Sequence, residues 1–176
     1  MKISIKDITS LADQTKKFSG ACDMQTFSYL GSDFSINHIE PFEVVLSMIG
    51  NGKLHITFDT VSTIVGSCDR CLTDVSFEVP VSVDETIQVS DGEVVPDEEL
   101  GPYSFIDEGD ILVDELILNE ILVNFPAKIL CQDDCKGICP VCGKNRNIVD
   151  CGCDDTVLDP RMAQFLDVFN SVKEVK

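Results

Sequence analysis

Residues 42–68, FEVVLSMIGNGKLHITFDTVSTIVGSC, decide the fold of this 176-residue chain. Two β-rich runs, Phe42–Ile49 and Leu54–Val65, flank the tripeptide Gly50-Asn51-Gly52. Glycine and asparagine tolerate the positive φ angles of a tight hairpin turn, and β-branched and aromatic residues favour extended strands. The stretch therefore predicts an antiparallel β-hairpin.

The flanking segments add strands and a loop to this hairpin. In Val75–Val89, apolar residues alternate with polar residues or proline, which is the pattern of a half-buried antiparallel strand. Upstream, Met1–Ile8 is compatible with an opening strand, whereas Lys17–Leu30 fits no single pattern. Downstream, Ser90–Gly101 is acidic and interrupted by glycine and proline, so we expect an exposed loop.

Two helices are expected in the second half of the chain. Asp110 is a candidate N-cap of the first, and Pro126 would end it. Its apolar positions surround most of the helix axis, so we expect it to be buried against the sheet. A second helix is predicted over Asp159–Val172, where Pro160 suits the first helical position. Its apolar stripe consists of Met162, Phe165, Leu166 and Phe169.

Eight of the nine cysteines fall into four closely spaced pairs. The pairs are Cys68 and Cys71, Cys131 and Cys135, Cys139 and Cys142, and Cys151 and Cys153. The first residues show no secretory-signal pattern, so we expect a cytoplasmic protein. In a reducing cytoplasm this density of cysteines indicates metal binding rather than disulfides. Zinc prefers four thiolates in a tetrahedron, and the pairs therefore predict one or two structural zinc ions.

The spacing leaves the assignment of cysteines to ions open. The preferred partition places Cys68, Cys71, Cys131 and Cys135 on one ion, and Cys139, Cys142, Cys151 and Cys153 on a second. An interlaced alternative joins Cys135, Cys139, Cys142 and one of the last two cysteines. The ninth cysteine, Cys22, is expected to be a small buried apolar residue.

Three other uses of the cysteines compete with structural zinc. Thiolates also hold iron–sulfur clusters, and the Cys68 and Cys71 pair would suit a redox switch if its thiolate pKa were lowered. A catalytic zinc is disfavoured, because such sites usually keep three protein ligands, often His, and a water. The two histidines, His38 and His55, lie in the β-rich half without a carboxylate pattern nearby.

The charge distribution limits the classes of partner. The chain has 31 acidic and 13 basic residues, a formal net charge of −18. Between Leu72 and Ala127 there are 15 acidic residues and no Lys or Arg. This surface is either a solvated face or a docking face for a basic partner, with Asp97, Glu98 and Glu99 as candidate contacts. It cannot lie on a nucleic-acid backbone, because phosphate binding requires basic side chains. The candidate RNA contacts are instead Lys128, Lys136, Lys144 and Arg146.

Several other functional classes lack their sequence signatures. No stretch approaches the roughly 20 apolar residues of a membrane span. The chain has no phosphate-binding glycine loop, no dinucleotide fingerprint, no zinc-protease motif and no serine-hydrolase motif. Without a nucleophile paired with a base, we expect no catalytic activity and no small-molecule substrate.

Three stretches carry a family resemblance: CDRC (residues 68–71), ILVDELILNEILVNFP (111–126) and LCQDDCKGICPVCGKNRN (130–147). In these stretches the chain resembles the YceD family, the large ribosomal RNA subunit accumulation proteins of bacteria and plastids. The resemblance implies a ribosome-biogenesis role in accumulation or processing of large-subunit ribosomal RNA, without known catalysis. A ribosomal protein or the precursor RNA would be the partner. The alternative is a zinc- or redox-responsive regulatory binding protein.

Together these features predict an α+β fold. We expect an antiparallel β-sheet or partial barrel covered by a central helix, followed by a zinc-stapled C-terminal segment and a terminal helix. The β-rich domain with its helix would cover residues 1–130, and the zinc-knuckle segment with the C-terminal helix would cover residues 131–176. Within that segment, Cys139-Pro140-Val141-Cys142-Gly143 resembles the turn of a zinc knuckle, in which the glycine permits the backbone to reverse. We expect the two segments to fold as one cooperative unit.

Overall fold

A computed structural model describes residues 1–9, 15–50, 52–90, 92–97, 99 and 101–154. In chain order the helices and strands are β1 (Lys2–Ser4), α1 (Lys6–Thr9), β2 (Thr15–Gly20), β3 (Thr26–Tyr29), β4 (Ser32–Ile39), β5 (Phe42–Ile49), β6 (Lys53–Ser67), β7 (Asp74–Ser90), β8 (Glu93–Val95), β9 (Ile106–Asp107), β10 (Asp110–Leu112) and α2 (Val113–Val123). The predicted C-terminal helix over Asp159–Val172 lies outside the described residues.

Strand β6 is the centre of a seven-stranded antiparallel sheet. Along one side it pairs with β7 over its whole length, from Lys53 opposite Gln88 to Ser67 opposite Asp74. Along the other side β5 pairs with its first part and β4 with its last part. Strands β2, β3 and β8 extend the sheet outward. Among the described strands this pairing does not close into a barrel.

The predicted hairpin and the third strand are confirmed. β5 and β6 pair antiparallel on either side of the predicted turn, and β7 occupies Asp74–Ser90. Gly52 has a φ of 73°, and a Cβ atom there would lie 2.5 Å from the Val89 carbonyl oxygen. Only glycine fits this position, because a side chain would be both strained in φ and in collision with the neighbouring strand.

A small second sheet corrects two predictions at the ends of the β-rich segment. Strands β1, β10 and β9 form a three-stranded antiparallel sheet. Asp110 lies in β10 opposite Ser4, so it is a strand residue and not the cap of the helix. Helix α2 starts at Val113, and its N-cap Leu112 makes no side-chain capping hydrogen bond. The opening strand is also shorter than predicted, because α1 follows β1 directly.

The expectation that a central helix covers the sheet is not supported. α2 has 11 residues, and the strand it contacts most is β7. At 1.5 Å per residue the helix is about 16 Å long. β7 has 17 residues, which at about 3.3 Å each span roughly 56 Å. The helix therefore covers a fraction of one strand. The predicted loop Ser90–Gly101 also contains a short strand, β8, which pairs with the end of β7.

The hydrophobic core lies on one face of the long antiparallel pair formed by β6 and β7. Buried and accessible residues alternate along β6 and most of β7, as the two-residue period of a strand requires. Helix α2 adds Val113, Leu116, Ile117 and Ile121 to the buried set. After the helix, Phe125 contacts the rings of Phe27, Tyr29, Phe34 and Phe77 at centroid distances of 4.8–5.8 Å. Aromatic pairs at these separations stabilise the fold beyond the effect of buried area.

The chain divides into two compact units. We call Met1–Ser67 with Asp74–Ile129 the sheet unit, and Cys68–Thr73 with Leu130–Lys176 the cysteine unit. The first segment of the cysteine unit is the loop that joins β6 to β7 along the chain. The predicted cooperative folding of the two segments stays a prediction. None of the helices among the described residues has the length and apolar content that a membrane span requires.

Candidate metal centres

The first cluster consists of Cys68, Cys71, Cys131 and Cys135, whose sulfur atoms all lie within 4.8 Å of one another. The Sγ atoms of Cys68 and Cys135 are 3.8 Å apart, and those of Cys71 and Cys131 are 3.5 Å apart. Four sulfurs at about 2.3 Å from a central zinc ion would lie about 3.8 Å from each other in a tetrahedron. The four side chains therefore fit one zinc ion.

A tight turn presents the first two of these ligands. The amide of Cys68 donates to the Thr73 carbonyl over 2.8 Å, and the amide of Leu72 donates to the Cys68 carbonyl over 2.9 Å. Leu72 adopts a φ of 60°, in the left-handed region that a leucine seldom occupies. This strained turn directs the Cys68 and Cys71 side chains toward the same point.

The second cluster consists of Cys139, Cys142, Cys151 and Cys153, whose sulfurs also lie within 4.8 Å of one another. The amide of Gly143 donates to the Cys139 carbonyl, and the amide of Cys139 donates to the Lys144 carbonyl, each over 2.8 Å. Gly143 has a φ of 72°, which allows the chain to reverse directly after Cys142. This is the knuckle turn that the Cys-Pro-Val-Cys-Gly sequence predicts.

The thiols of the first cluster differ in their tendency to ionise. Burial raises the pKa of the Cys68 thiol, but the backbone N–H groups of Arg70, Cys71 and Cys131 stabilise its thiolate and lower the pKa to about 6. A hydrogen bond with the Thr73 hydroxyl, together with the Thr73 backbone N–H, lowers the pKa of Cys71. The pKa of Cys131 is raised to about 12, first by its hydrogen bond to Cys71 and then by burial.

The second cluster repeats this pattern. The backbone N–H groups of Cys142 and Val141 lower the pKa of Cys139 to about 6. The pKa of Cys153 is raised to about 12 by hydrogen bonds to Cys142 and Cys151. Neighbouring thiolates repel one another, so without a cation each cluster keeps a proton on at least one sulfur. A divalent cation removes this conflict, and the donor set therefore fits a metal ion better than it fits four free thiols.

The two clusters correspond to the preferred partition of the sequence analysis. In the described residues, the interlaced set of Cys135, Cys139, Cys142 and one later cysteine does not converge. The clusters differ in exposure: Cys68, Cys71 and Cys135 are buried, whereas in the second cluster Cys142 is exposed and Cys151 and Cys153 are half-buried. The structure shows that both groups could hold metal ions, and the identity of the metal stays a prediction.

Four residues that support the clusters were not identified as functional from the sequence. Asn147 Nδ2 donates to Cys135 Sγ over 3.2 Å, and Asn145 Nδ2 donates to Thr73 Oγ1 over 3.3 Å. Arg70 Nη1 donates to the Cys135 carbonyl over 3.0 Å. The sequence signal available for Asn145 and Asn147 was the Asn-x-Asn pattern that follows Cys142. Short amide side chains commonly form hydrogen bonds with nearby backbone and ligand atoms.

The predicted RNA contacts do not all lie in one unit. Lys136 and Lys144 are exposed in the cysteine unit, where Arg146 is half-buried and its Nη2 lies 3.9 Å from Cys139 Sγ. Lys128 is exposed in the sheet unit. The structure therefore assigns three of the four basic residues to the unit that carries the cysteines.

The remaining described candidates lie in the sheet unit. In the acidic loop, the Asp97 carboxylate accepts the Glu99 amide over 2.9 Å, and Glu98 lies outside the described residues. His38 is exposed, and His55 Nε2 lies 2.8 Å from the Asp84 carboxylate. Cys22 is half-buried against the core.

Sequence comparison finds relatives among mycobacterial proteins. The chain is 31% identical over 91 residues to uncharacterized proteins of Mycobacterium bovis and Mycobacterium tuberculosis, covering 50% of this chain and 42% of theirs. It is 26% identical over 104 residues to an uncharacterized protein of Mycobacterium leprae, covering 59% of this chain and 48% of that protein. The matched region thus spans about half the length of these curated relatives. No solved structure gives a significant match.

A family match gives the identity of the chain. The sequence profile described as "Large ribosomal RNA subunit accumulation protein YceD" matches residues 56–168, which is more than half of the chain. All eight clustered cysteines lie inside this range. The description names accumulation of a ribosomal RNA subunit and no chemical reaction. The chain therefore belongs to the YceD family of large ribosomal RNA subunit accumulation proteins.

Proposed function

We propose that this protein is a non-catalytic zinc-binding factor that supports the accumulation and processing of large-subunit ribosomal RNA in the cytoplasm. One observation carries the proposal: the family match at residues 56–168 contains two groups of four cysteines whose sulfurs converge within 4.8 Å. The family description names the process. The cysteine geometry indicates how bound metal would stabilise the fold that carries it out.

Closed structural zinc sites explain the chemistry of both clusters. Four thiolates complete the tetrahedral shell of a zinc ion, so no position is left for the water that a hydrolytic zinc requires. The spacing of 3.5–3.8 Å between two pairs of sulfurs in the first cluster supports zinc at that site. Zinc bound there would fasten Cys68–Thr73 to the chain around Cys131 and Cys135, which lie 60 residues or more further along.

A basic ribosomal protein is the partner that the charge distribution favours. The 15 acidic residues between Leu72 and Ala127, with no Lys or Arg among them, would attract a cationic surface and raise its association rate. The loop with Asp97, Glu98 and Glu99 would be one part of this contact. Lys136, Lys144 and Arg146 in the cysteine unit would contact precursor RNA, and Lys128 in the sheet unit would add a further phosphate contact.

The proposed role is tested by depleting the protein in its own cell. We expect a selective loss of large ribosomal subunits and their RNA on a sucrose gradient, restored by the wild-type gene. A Cys71→Ser variant, which lacks one ligand of the first cluster, should restore the subunit ratio only partly. A normal ratio of large to small subunits after full depletion would overturn the proposed role.

A zinc- or redox-responsive regulator is the second candidate function. The exposure of Cys142 and the half-burial of Cys151 and Cys153 favour it, because oxidants reach accessible thiolates first. Reversible zinc release under mild oxidation at physiological potentials would support the regulator. Purely structural sites should keep their metal until the fold itself fails.

A further inference from the structure

Asn147 links the two cysteine clusters. Along the chain it lies between Cys142 and Cys151, which both belong to the second cluster. Its side-chain amide nevertheless donates to Cys135 Sγ of the first cluster over 3.2 Å. Its Oδ1 atom accepts the backbone amide of Lys136 over 2.8 Å, so both ends of the side chain bind the segment that carries Cys135.

Other hydrogen bonds attach the same two regions. The amide of Ile138, directly before the second cluster, donates to the Arg70 carbonyl in the first cluster's turn over 3.0 Å. The Asn145 side chain donates to Thr73 Oγ1, also in that turn, over 3.3 Å. The chain that presents Cys139 and Cys142 is therefore held by groups that the first cluster positions.

The two clusters differ in burial, and the more exposed second cluster therefore depends more on these hydrogen bonds. Three of the four cysteines of the first cluster are buried, so packing restricts them before a metal arrives. In the second cluster one cysteine is exposed and two are half-buried, so their positions depend more on local hydrogen bonds. Ordering flexible ligands opposes metal binding, and any contact that orders them beforehand raises the affinity.

We propose that the two clusters bind metal cooperatively and that Asn147 is the positioning residue that couples them. This inference rests on metal binding by both clusters, as in the proposed function. A metal in the first cluster fixes the position of Cys135 Sγ, the acceptor of the Asn147 hydrogen bond, and thereby orders the chain between Cys142 and Cys151. By linkage, metal in the second cluster raises the affinity of the first by the same factor.

The coupling is measured by titration with Co²⁺, whose thiolate complexes absorb light. Cys71→Ser removes a ligand of the first cluster but keeps Cys135 as the acceptor of Asn147, and Cys153→Ser keeps all four cysteines of the first cluster. We expect the overall wild-type association constant for two Co²⁺ ions to exceed the product of the two single-cluster constants at least tenfold. In chains that also carry Asn147→Ala, this excess should fall below threefold. A wild-type excess below threefold would show independent sites and overturn the inference.

A spectroscopic signature distinguishes positioning from a general loss of structure. A hydrogen bond from Asn147 lowers the energy of the Cys135 sulfur lone pair. In the Cys153→Ser background, Asn147→Ala should therefore shift the sulfur-to-cobalt charge-transfer band to longer wavelength. The matched control is Asn119→Ala in the sheet unit, where the asparagine donates one exposed hydrogen bond to Ser104 Oγ, and this change should leave the band in place.

A second measurement covers the case in which the serine variants do not fold. Asn147→Ala in the full set of cysteines should change a concerted Co²⁺ titration into two separate steps, and Asn119→Ala should not. An unchanged concerted titration of Asn147→Ala would contradict its coupling role. Absence of any cobalt–thiolate absorption in the wild-type protein would instead contradict metal binding itself, leaving the ribosomal role to the depletion experiment.

Discussion

The side-chain amide of Asn147 donates a hydrogen bond to Cys135 Sγ over 3.2 Å, although the two residues are 12 positions apart in the chain. The bond joins a residue that lies between Cys142 and Cys151 of the second cluster to a ligand of the first cluster. Through this bond, a residue that follows Cys142 in the chain supports a ligand of the first cluster. The cysteine unit is therefore organised by its ligands and by the amides that bind them.

Two features should require glycine at position 137: its backbone conformation and the closeness of the Arg70 carbonyl oxygen. Gly137 has a φ of 73°, and a Cβ atom there would lie 3.0 Å from the Arg70 carbonyl oxygen. We expect Gly137→Ala to lower the free energy of unfolding of the metal-loaded cysteine unit by about 2 kcal/mol or more, because left-handed strain alone costs about 1–2 kcal/mol. Urea-induced zinc release, followed with a colorimetric chelator, measures the change.

Gly143 supplies the control for that substitution. Its φ of 72° is nearly the same, but a Cβ atom at this position would have no atom within 4 Å other than those of its chain neighbours. Gly143→Ala should carry the backbone strain without the contact and should destabilise the unit less. Equal effects of the two substitutions would show that the approach to Arg70 contributes nothing.

Burial on helix α2 should decide the effect of substitutions there. The Ile121 side chain is fully buried, whereas Val123 is 78% exposed. Ile121→Ala removes buried methyl and methylene groups and leaves a cavity, so we expect a loss of about 2–5 kcal/mol in the free energy of unfolding. Val123→Ala should change it by less than about 0.5 kcal/mol. Urea denaturation followed by circular dichroism compares them, and similar losses would mean that α2 does not pack as described.

Cys22 should react as a thiol with a raised pKa. Burial is the main cause that raises the pKa of Cys22 to about 11, and a hydrogen bond to Asp114 adds to it. Only the thiolate is alkylated, so at pH 8 we expect a rate about 100-fold below that of an ordinary cysteine whose pKa is 9.0. The rate should continue to rise above pH 9, reach half of its maximum near pH 11 and level off only above that pH.

Mass spectrometry of iodoacetamide labelling in the metal-loaded protein provides this pH profile. Metal-bound thiolates are shielded, so Cys22→Ser should remove the pH-dependent labelling. A half-maximal labelling rate near pH 9 in the wild-type protein would contradict the raised pKa.

The acidic loop should contribute to association with ribosomal precursors. We expect the combined change of Asp97, Glu98 and Glu99 to Lys to weaken co-sedimentation of the protein with pre-ribosomal particles several-fold, because it replaces attraction of a basic partner by repulsion. The effect should diminish at high salt, where exposed charges are screened.

A control variant with the same change of charge outside the acidic loop distinguishes a specific contact of the loop from a general effect of net charge. Asp23, Asp33 and Glu40 are exposed and lie outside the acidic stretch between Leu72 and Ala127, and changing these three to Lys alters the net charge by the same amount. We expect this control to weaken co-sedimentation less. Unchanged co-sedimentation of the loop variant would remove the loop from the proposed partner surface.

Local patterns in the sequence predicted the long strands and the grouping of the cysteines. Glycines around residue 51 and the alternation in β7 are local signals, and they predicted the hairpin and its third strand. Close spacing within each cysteine pair limited the partition to a few choices. These features depend on neighbouring residues, which is the information that periodicity and spacing contain.

Long-range pairing explains the features that were missed. Asp110 resembles a helix cap in sequence, but pairing of β10 with β1 at Ser4 draws it into a strand and shortens the helix. The Asn-x-Asn sequence that contains Asn147 is a local signal, but it does not predict the contact with Cys135, which is brought near only by the folded cysteine unit. Tertiary contacts of this kind override local propensity.

Native mass spectrometry of the protein purified under reducing conditions tests the central claim most directly. The account predicts a mass excess of two zinc ions per chain, with one zinc lost in Cys153→Ser. Chelation at mildly acidic pH should remove the excess, because the ligands must be deprotonated to bind. A chain without bound metal, or one carrying the mass of iron and sulfide, would contradict two structural zinc centres.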